Sequence, residues 1–358
     1  MKVLLAVSGG IDSMYMLHRA PELFPGASFA VAHCNFGLRG EESDGDEAFV
    51  RDACKSAGID CLVRRFNTAE YASRHGVSIE MAARELRYSW FRELCTAEGF
   101  DALATAHNAN DNAETLILNL LRGTGTKGLR GIPSAGSTAQ EEARKTSTSF
   151  HPSHKFSEVK FAGPSHSSGH GRPLFFEPLP DSVAPAEQIR IVRPLLDIGR
   201  DDIRKWMEEN GFMWREDKTN GENEARRNKI RNQVFPVFAE INPSFVKTLG
   251  EDMARIRQTD DIADDYFREA AERIVRQSDN SLEISVMPLI ELKHWRYVLW
   301  RLLEDCSFNA ETFGKLCALL EKYRSEPLGT VTLSGKTFQS PTHILKARRK
   351  VLVLSAKL

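Results

Sequence analysis

No run in the sequence approaches the roughly 18 continuous apolar residues of a membrane span, so it holds out no membrane partner. Neither sign of charge is in excess: 48 Lys and Arg face 49 Asp and Glu, a net charge of −1. That balance argues against a uniformly basic nucleic-acid binder, although it says nothing about where the charges sit. Cysteine is scarce, and none of Cys34, Cys54, Cys61, Cys95, Cys306 and Cys317 has the C-x-x-C spacing of a zinc or redox pair. Free thiols in a reducing cytosol are the expectation. The opening MKVLLAVSGGIDS carries an apolar run too short and too glycine-rich for a signal peptide. A soluble, cytoplasmic chain is therefore expected, and it has no internal repeat. What is present is ordinary: 358 residues, 41% hydrophobic and 27% charged, a globular composition too long for one core.

The first 130 residues alternate short apolar runs with helical spacing. Strands are expected at 3–7, 29–32, 61–63 and 102–106, and helices at 13–23, 79–98 and 111–121. On the helix from Ile79, Ala83, Leu86, Trp90 and Leu94 form one stripe. Strands alternating with helices predict an α/β fold, a parallel sheet with helices on both faces. From 134 to 172, Ser, Thr, Gly, Pro and His fill 22 of 39 positions, and no periodicity survives. A flexible insertion over 134–188 is expected. Its His151, His154, His166 and His170 read as a solvated loop, since no cysteines accompany them to make zinc-site spacing. Helical patterns return at 201–210 and run from 225 to 276, with further helices at 294–303 and 312–323. Strand-like pieces follow at 330–333 and 351–354. The expected domains are a nucleotide domain over 1–220 and a smaller, mostly helical C-terminal region over 221–358 that ends in short strands.

The sharpest feature is Ser8-Gly9-Gly10-Ile11-Asp12-Ser13, which follows a strand and opens a helix. Two glycines let the backbone approach a ligand without a Cβ. The helix start offers unpaired N–H groups and the positive end of a dipole, a setting for phosphate oxygens. Asp12 beside a phosphate makes sense if it meets a metal ion or a ribose. Neither G-x-x-x-x-G-K-[ST] nor G-x-G-x-x-G is present. The string resembles the PP-loop of the N-type ATP pyrophosphatases, a Rossmann-like superfamily. The resemblance implies ATP cleavage between the α- and β-phosphates, with AMP moved to a carbonyl oxygen.

Four further strings narrow the resemblance. They are His33-Cys34-Asn35-Phe36-Gly37-Leu38-Arg39 with an acidic follow-on at 43–46; Glu80 to Tyr88, EMAARELRY; Ala104 to Thr115, ATAHNANDNAET, running into Arg122-Gly123-Thr124-Gly125; and Arg193-Pro194-Leu195-Leu196 with Glu216-Asp217-Lys218-Thr219-Asn220 and Arg226 to Arg231, RRNKIR. In this order the chain, over residues 1 to about 245, is similar to the tRNA(Ile)-lysidine synthetase family, ligases that form a carbon–nitrogen bond. The family implies ATP and Mg²⁺ as cofactors, and tRNA(Ile) with a CAU anticodon and free L-lysine as partners. It implies phosphate binding by Ser8, Gly9, Gly10, Ile11, Asp12 and Ser13, and catalytic roles for Asp111, Arg84 and Arg227. Asp12 and Asp111 become candidate Mg²⁺ ligands. The sequence departs from the familiar strings at Phe36, Asn108 and Asn110, leaving Asp111 as the one aspartate of its string.

Each string also has a plainer reading. Glu80, Arg84 and Arg87 share a helix face, where ion pairs are worth only about 0.3–0.5 kcal/mol. Asp111 and Glu114 have capping-box spacing. Arg227 and Arg231, four apart on one helix face, suit phosphate contact, either of ATP or of RNA, as well as solvation. From 328 to 358 there are six basic residues and no acid, including Arg348, Arg349 and Lys350. With Arg231, these three are the candidate RNA contacts. A PP-loop tRNA thiolase would need catalytic cysteines in suitable spacing, and an amidotransferase a glutaminase domain. A non-catalytic nucleotide- or tRNA-binding module is the alternative from another class. Oligomeric state is left open between monomer and homodimer.

Overall fold

The computed structural model describes residues 1–137, 189–216, 222–278, 281–325 and 332–357. The four histidines of the expected insertion, and the Asp217–Asn220 part of one string, lie outside these. The chain divides into two units, Met1–Ile256 and Arg257–Leu358.

The first unit opens with β1 (Lys2–Ala6), α1 (Ile11–Leu23), β2 (Ser28–Asn35), α2 (Glu41–Ala57) and β3 (Asp60–Arg65). Then come α3 (Thr68–His75), α4 (Ile79–Glu98), β4 (Ala102–Ala104), α5 (Ala109–Arg122) and α6 (Thr126–Leu129). Beyond them lie β5 (Ala135–Ser137), at the start of the expected insertion, β6 (Arg190–Val192) and α7 (Arg200–Glu209). The sheet order is β3-β2-β1-β4-β6-β5, parallel throughout except for the β5–β6 pair. β1 shows why its sequence is a near-continuous apolar run. Val3 and Leu5 face a core shared with Met14 and Leu17 of α1, Val50 of α2, and Ile203 and Met207 of α7. Leu4 faces the other side, against Tyr88, Trp90 and Phe91 of α4. A strand covered on both faces needs apolar residues at both parities. Truncating Leu4, which is fully buried, to alanine is expected to cost about 2–5 kcal/mol.

Residues 222–256 continue as α8 (Glu222–Lys229), one π-helical turn (Ile230–Val234), α9 (Phe235–Ile241) and the start of α10 (Phe245–Ile274). The π turn is closed by the Phe235 N–H to the Ile230 carbonyl. It lies where Pro236, lacking an N–H, would clash with a carbonyl in an unbroken α ladder.

In the second unit β7 (Val275–Ser278), β8 (Ser281–Ser285), α11 (Val286–Glu291), α12 (Trp295–Leu303), α13 (Ala310–Ser325), β9 (Thr337–Gln339), β10 (His343–Ala347) and β11 (Val351–Ala356) follow. They form an antiparallel sheet in the order β7-β8-β11-β10-β9. Ile284, Leu345, Leu352 and Leu354 pack with Leu289, Leu299, Leu316 and Leu320 of its helices. Two sequence expectations shift here. Of the expected strand at 330–333, residues 330 and 331 lie outside the described residues and 332 and 333 are irregular; described strands stand at Thr337–Gln339 and His343–Ala347. The expected helix reaching 276 ends at Ile274, and a strand begins at the β-branched Val275.

Candidate active site

The sheet order reverses between β1 and β4, and the crevice at their carboxyl ends is where ligands of such sheets bind. Two helices start there. After β1, Gly9 takes φ +97°, and a side chain on it would also meet Val50 of α2. The Ser13 hydroxyl donates to the Gly10 carbonyl at 2.9 Å and accepts the Ser8 and Gly9 N–H groups, each at 3.2 Å. Ser13 is buried, and these bonds hold the loop in shape. The N–H groups left to point outward are those at the start of α1.

After β4, α5 begins one turn earlier than the capping-box spacing of Asp111 and Glu114 suggests. The cap is Asn108: its side chain accepts the Asp111 N–H at 3.0 Å, and the Asp111 carboxylate accepts the Asn108 N–H at 3.1 Å. The Asn108 amide also donates to Asp12 Oδ1 at 2.9 Å, joining the two helix starts. Burial, then the charge of Asp111, pushes the Asp12 carboxyl above the ordinary range; the Asn108 hydrogen bond, Arg200 and Arg231 oppose this. Two carboxylates held together against their repulsion suit a hard divalent cation that also takes phosphate oxygens and water. Among the described residues no group of three or more His, Cys, Asp or Glu could hold a metal.

One turn into α5, Glu114 is fully buried. Its Oε1 accepts from Arg231 Nε at 2.8 Å and from Nη2 at 2.7 Å. Its Oε2 lies 3.8 Å from Arg227 Nη1 and has no hydrogen-bond partner among the described residues. Arg231 Nη2 is also 3.7 Å from Asp111 Oδ1, and Arg227 Nη2 is 3.4 Å from the Thr115 hydroxyl. Burial, then Asp111, raises the Glu114 carboxyl, and the two guanidinium groups oppose this. The site thus combines outward helix N–H groups, an Asp12–Asp111 pair, and two arginines braced by a buried glutamate.

The other expected residues stand on other elements. Arg84 lies over the Tyr88 ring of its own helix, 5.0 Å from the centroid. Arg87 lies 5.1 Å over the ring of Phe36, which itself stacks on Phe66. Arg348, Arg349 and Lys350 are exposed at the β10–β11 turn of the second unit. Arg231, a candidate RNA contact, sits beside the Glu114 and Asp111 carboxylates.

A family model described as a PP-loop domain matches residues 1–154 and 172–238, and one described as the TilS substrate binding domain matches 277–357. The tRNA(Ile)-lysidine synthase of Chlorobaculum tepidum is 34% identical over 343 residues, covering 91% of this chain and 86% of that protein. The chain belongs to the tRNA(Ile)-lysidine synthase family. The enzyme of that name from Parabacteroides distasonis is 33% identical, over 99% of this chain and 66% of the relative. That from Porphyromonas gingivalis is 32% identical, over 98% and 63%. The chain thus spans most of the first relative and just under two thirds of the other two.

As a lysidine synthase family member, the chain explains its own departures from the family strings. Asn110 does not face the carboxylates. Its Oδ1 accepts the Arg200 N–H at 3.0 Å and caps α7, whose own cap position, Gly199, has no side chain to offer. The second carboxylate of the site comes from Asp12, on another helix, and the third from Glu114. The sequence offered Glu114 only as a capping-box partner of Asp111; the signal for the site was its place one turn after Asp111, on the face that Arg227 and Arg231 reach. Arg200, close enough to act on Asp12, carried no such signal.

Proposed function

We propose that this chain ligates lysine to C2 of the wobble cytidine in the CAU anticodon of tRNA(Ile), forming lysidine at the expense of ATP. The observation that carries the reading is the convergence of Asp12, Asp111, Glu114, Arg227 and Arg231 at the mouth of the PP-loop.

In the first step the cytidine C2 carbonyl oxygen attacks the α-phosphorus of ATP, and pyrophosphate leaves. The α1 N–H groups and Ser8 hold phosphate oxygens. Arg227 and Arg231, pre-aimed by Glu114, meet charge that develops on the leaving group without reorganising at that moment. Mg²⁺, held by Asp12 and Asp111, would supply charge neutralisation on the phosphates. In the second step the ε-amine attacks C2 and AMP departs with the former carbonyl oxygen. The amine must first lose a proton to water or a nearby carboxylate, and Asp111, at the open edge of the cluster, steers it. Arg84 serves the same pyrophosphate from α4. The wobble base has to be splayed from its stack to reach the crevice.

Residues 1–220, joined by Arg227 and Arg231, would carry this chemistry and the rest of 221–358 the hold on tRNA, with Arg348, Arg349 and Lys350 on phosphates. A thiolase reading is disfavoured by spacing, since no two of the six cysteines stand as C-x-x-C; burial pushes the Cys34 and Cys95 thiols up to about 12, while the hydrogen bond with Cys54 lowers Cys61. The reading is tested with ATP, lysine and a CAU-anticodon tRNA. Pyrophosphate release should require this tRNA, and AMP release and continued turnover should require lysine as well; pyrophosphate release in the absence of tRNA would refute it.

A further inference from the structure

We infer that Arg215 is a positioning residue that latches the PP-loop in its phosphate-accepting form; the inference rests on the nucleotide reading above. Segment 212–216 leaves α7 and crosses the loop. Phe212 and Trp214 pack against the core of the first unit, while Met213 between them is exposed. Arg215 then bonds in two separate places. Its backbone N–H donates to the Gly9 carbonyl at 3.0 Å. Its Nε pairs with Asp46 Oδ1, on the helix α2 that flanks the loop. Asp46 is fixed from the other side by Arg39, whose Nη2 lies 2.7 Å from Oδ2. The Arg215 guanidinium rests on Gly45: a Cβ there would stand 3.3 Å from Nη2 and 3.4 Å from Nη1.

The peptide plane explains the consequence. The C=O and N–H of one trans peptide point in opposite directions. With the Gly9 carbonyl turned to Arg215, the Gly10 N–H of the same peptide is turned away from it. Among the described residues that N–H has one long hydrogen bond, 3.4 Å, to the Ser8 hydroxyl, which leaves it able to take a phosphate oxygen. Gly9, at positive φ, is the residue whose backbone flips most easily. A flip would aim a carbonyl oxygen where the N–H stood, placing partial negative charge towards the phosphates. The side chain of Arg215 does not touch the phosphates in this account. It keeps its own backbone N–H in place on Gly9.

The test compares Arg215→Met, Arg215→Lys and Gly45→Val. Arg215→Met is expected to raise KM for ATP about tenfold, the loss of roughly one well-placed hydrogen bond. At saturating ATP, kcat should stay within about twofold, and KM for lysine should not move. Arg215→Lys, which keeps one charge for Asp46, should recover part of the loss. Gly45→Val fills the guanidinium's resting place on a helix that tolerates valine better than glycine. It should raise KM for ATP with no fall in melting temperature, so the inference is tested even if Arg215→Met folds poorly. Unchanged KM for ATP in both Arg215→Met and Gly45→Val would overturn the latch. So would equal losses for ATP and lysine, the mark of a merely structural residue. Binding of α,β-methylene-ATP with Mg²⁺ by calorimetry separates the two levels. No binding to the unaltered protein would overturn the nucleotide reading itself. Tight binding to the unaltered protein and equally tight binding to Arg215→Met would overturn the latch alone.

Discussion

Arg231 reaches back 117 positions to place Nε 2.8 Å from the fully buried Oε1 of Glu114. The pair ties the helical stretch after the sheet to α5 at the catalytic crevice. Removing the arginine leaves a buried carboxylate with Arg227 as its remaining cation. Arg231→Met is therefore expected to destabilise the first unit by roughly 2 kcal/mol, below the ~3–5 kcal/mol of a fully abandoned buried charge. Denaturant unfolding measures it, and Glu114→Gln combined with Arg231→Met should cost less than the sum of the two single changes.

Asp12 is held where its charge is unwelcome, by burial and by Asp111. Asp12→Asn keeps an oxygen for the Asn108 amide and removes the repulsion. Without Mg²⁺ the variant should be as stable as the unaltered protein or more so, by about 1 kcal/mol, as expected where a site trades stability for function. Its turnover should fall by at least ~10²-fold. Thermal unfolding and pyrophosphate release check the two halves independently.

His33 is buried on β2, and its Nδ1 lies 2.9 Å from the Val7 carbonyl. Burial lowers its pKa below the ordinary 6.5, although the Val7 hydrogen bond and Glu47 oppose this. The folded protein therefore binds fewer protons at this site than the unfolded chain. Stability from His33 is complete above the unfolded value and is lost as pH falls from there through the folded value. Melting temperatures between pH 7.5 and 5 should fall less in His33→Asn than in the unaltered protein, with the difference opening below about pH 6.5.

The basic tip at Arg348, Arg349 and Lys350 can be tested without removing the terminus. Deleting everything after 327 would strip Leu345, Leu352 and Leu354 from the core of the second unit. Alanine at the three exposed tip residues should instead weaken tRNA binding. It should also reduce the salt slope by about 0.7–0.9 for each phosphate that is no longer neutralised. KM for ATP should be unaffected. A filter-binding titration at several salt concentrations reads the slope.

Much of this was legible in the sequence, because local rules governed it. The apolar run of β1, the glycines of the loop and the stripe on α4 each express a local period or a steric need. Phe36, Asn108 and Asn110 could be read only as departures, because their partners lie far along the chain. Phe36 lies under Arg87, Asn108 joins Asp12, and Asn110 caps α7 at Arg200. The place of Glu114 in the site escaped notice for the same reason: its arginines are more than 100 positions away and arrive through a π turn that Pro236 imposes. The strands at Thr337–Gln339 and His343–Ala347 went unread because a five-stranded antiparallel sheet of short segments gives weak periodic signals.

The central claim is that one crevice joins ATP to tRNA chemistry and lysine to its product. The most direct measurement follows radiolabelled lysine into tRNA in the presence of ATP and Mg²⁺, using tRNA(Ile) with CAU and a control with cytidine 34 changed to uridine. The account predicts label in the first, none in the control, and none for Asp111→Ala with either. Label entering the uridine control as readily, or entering with Asp111→Ala, would contradict it.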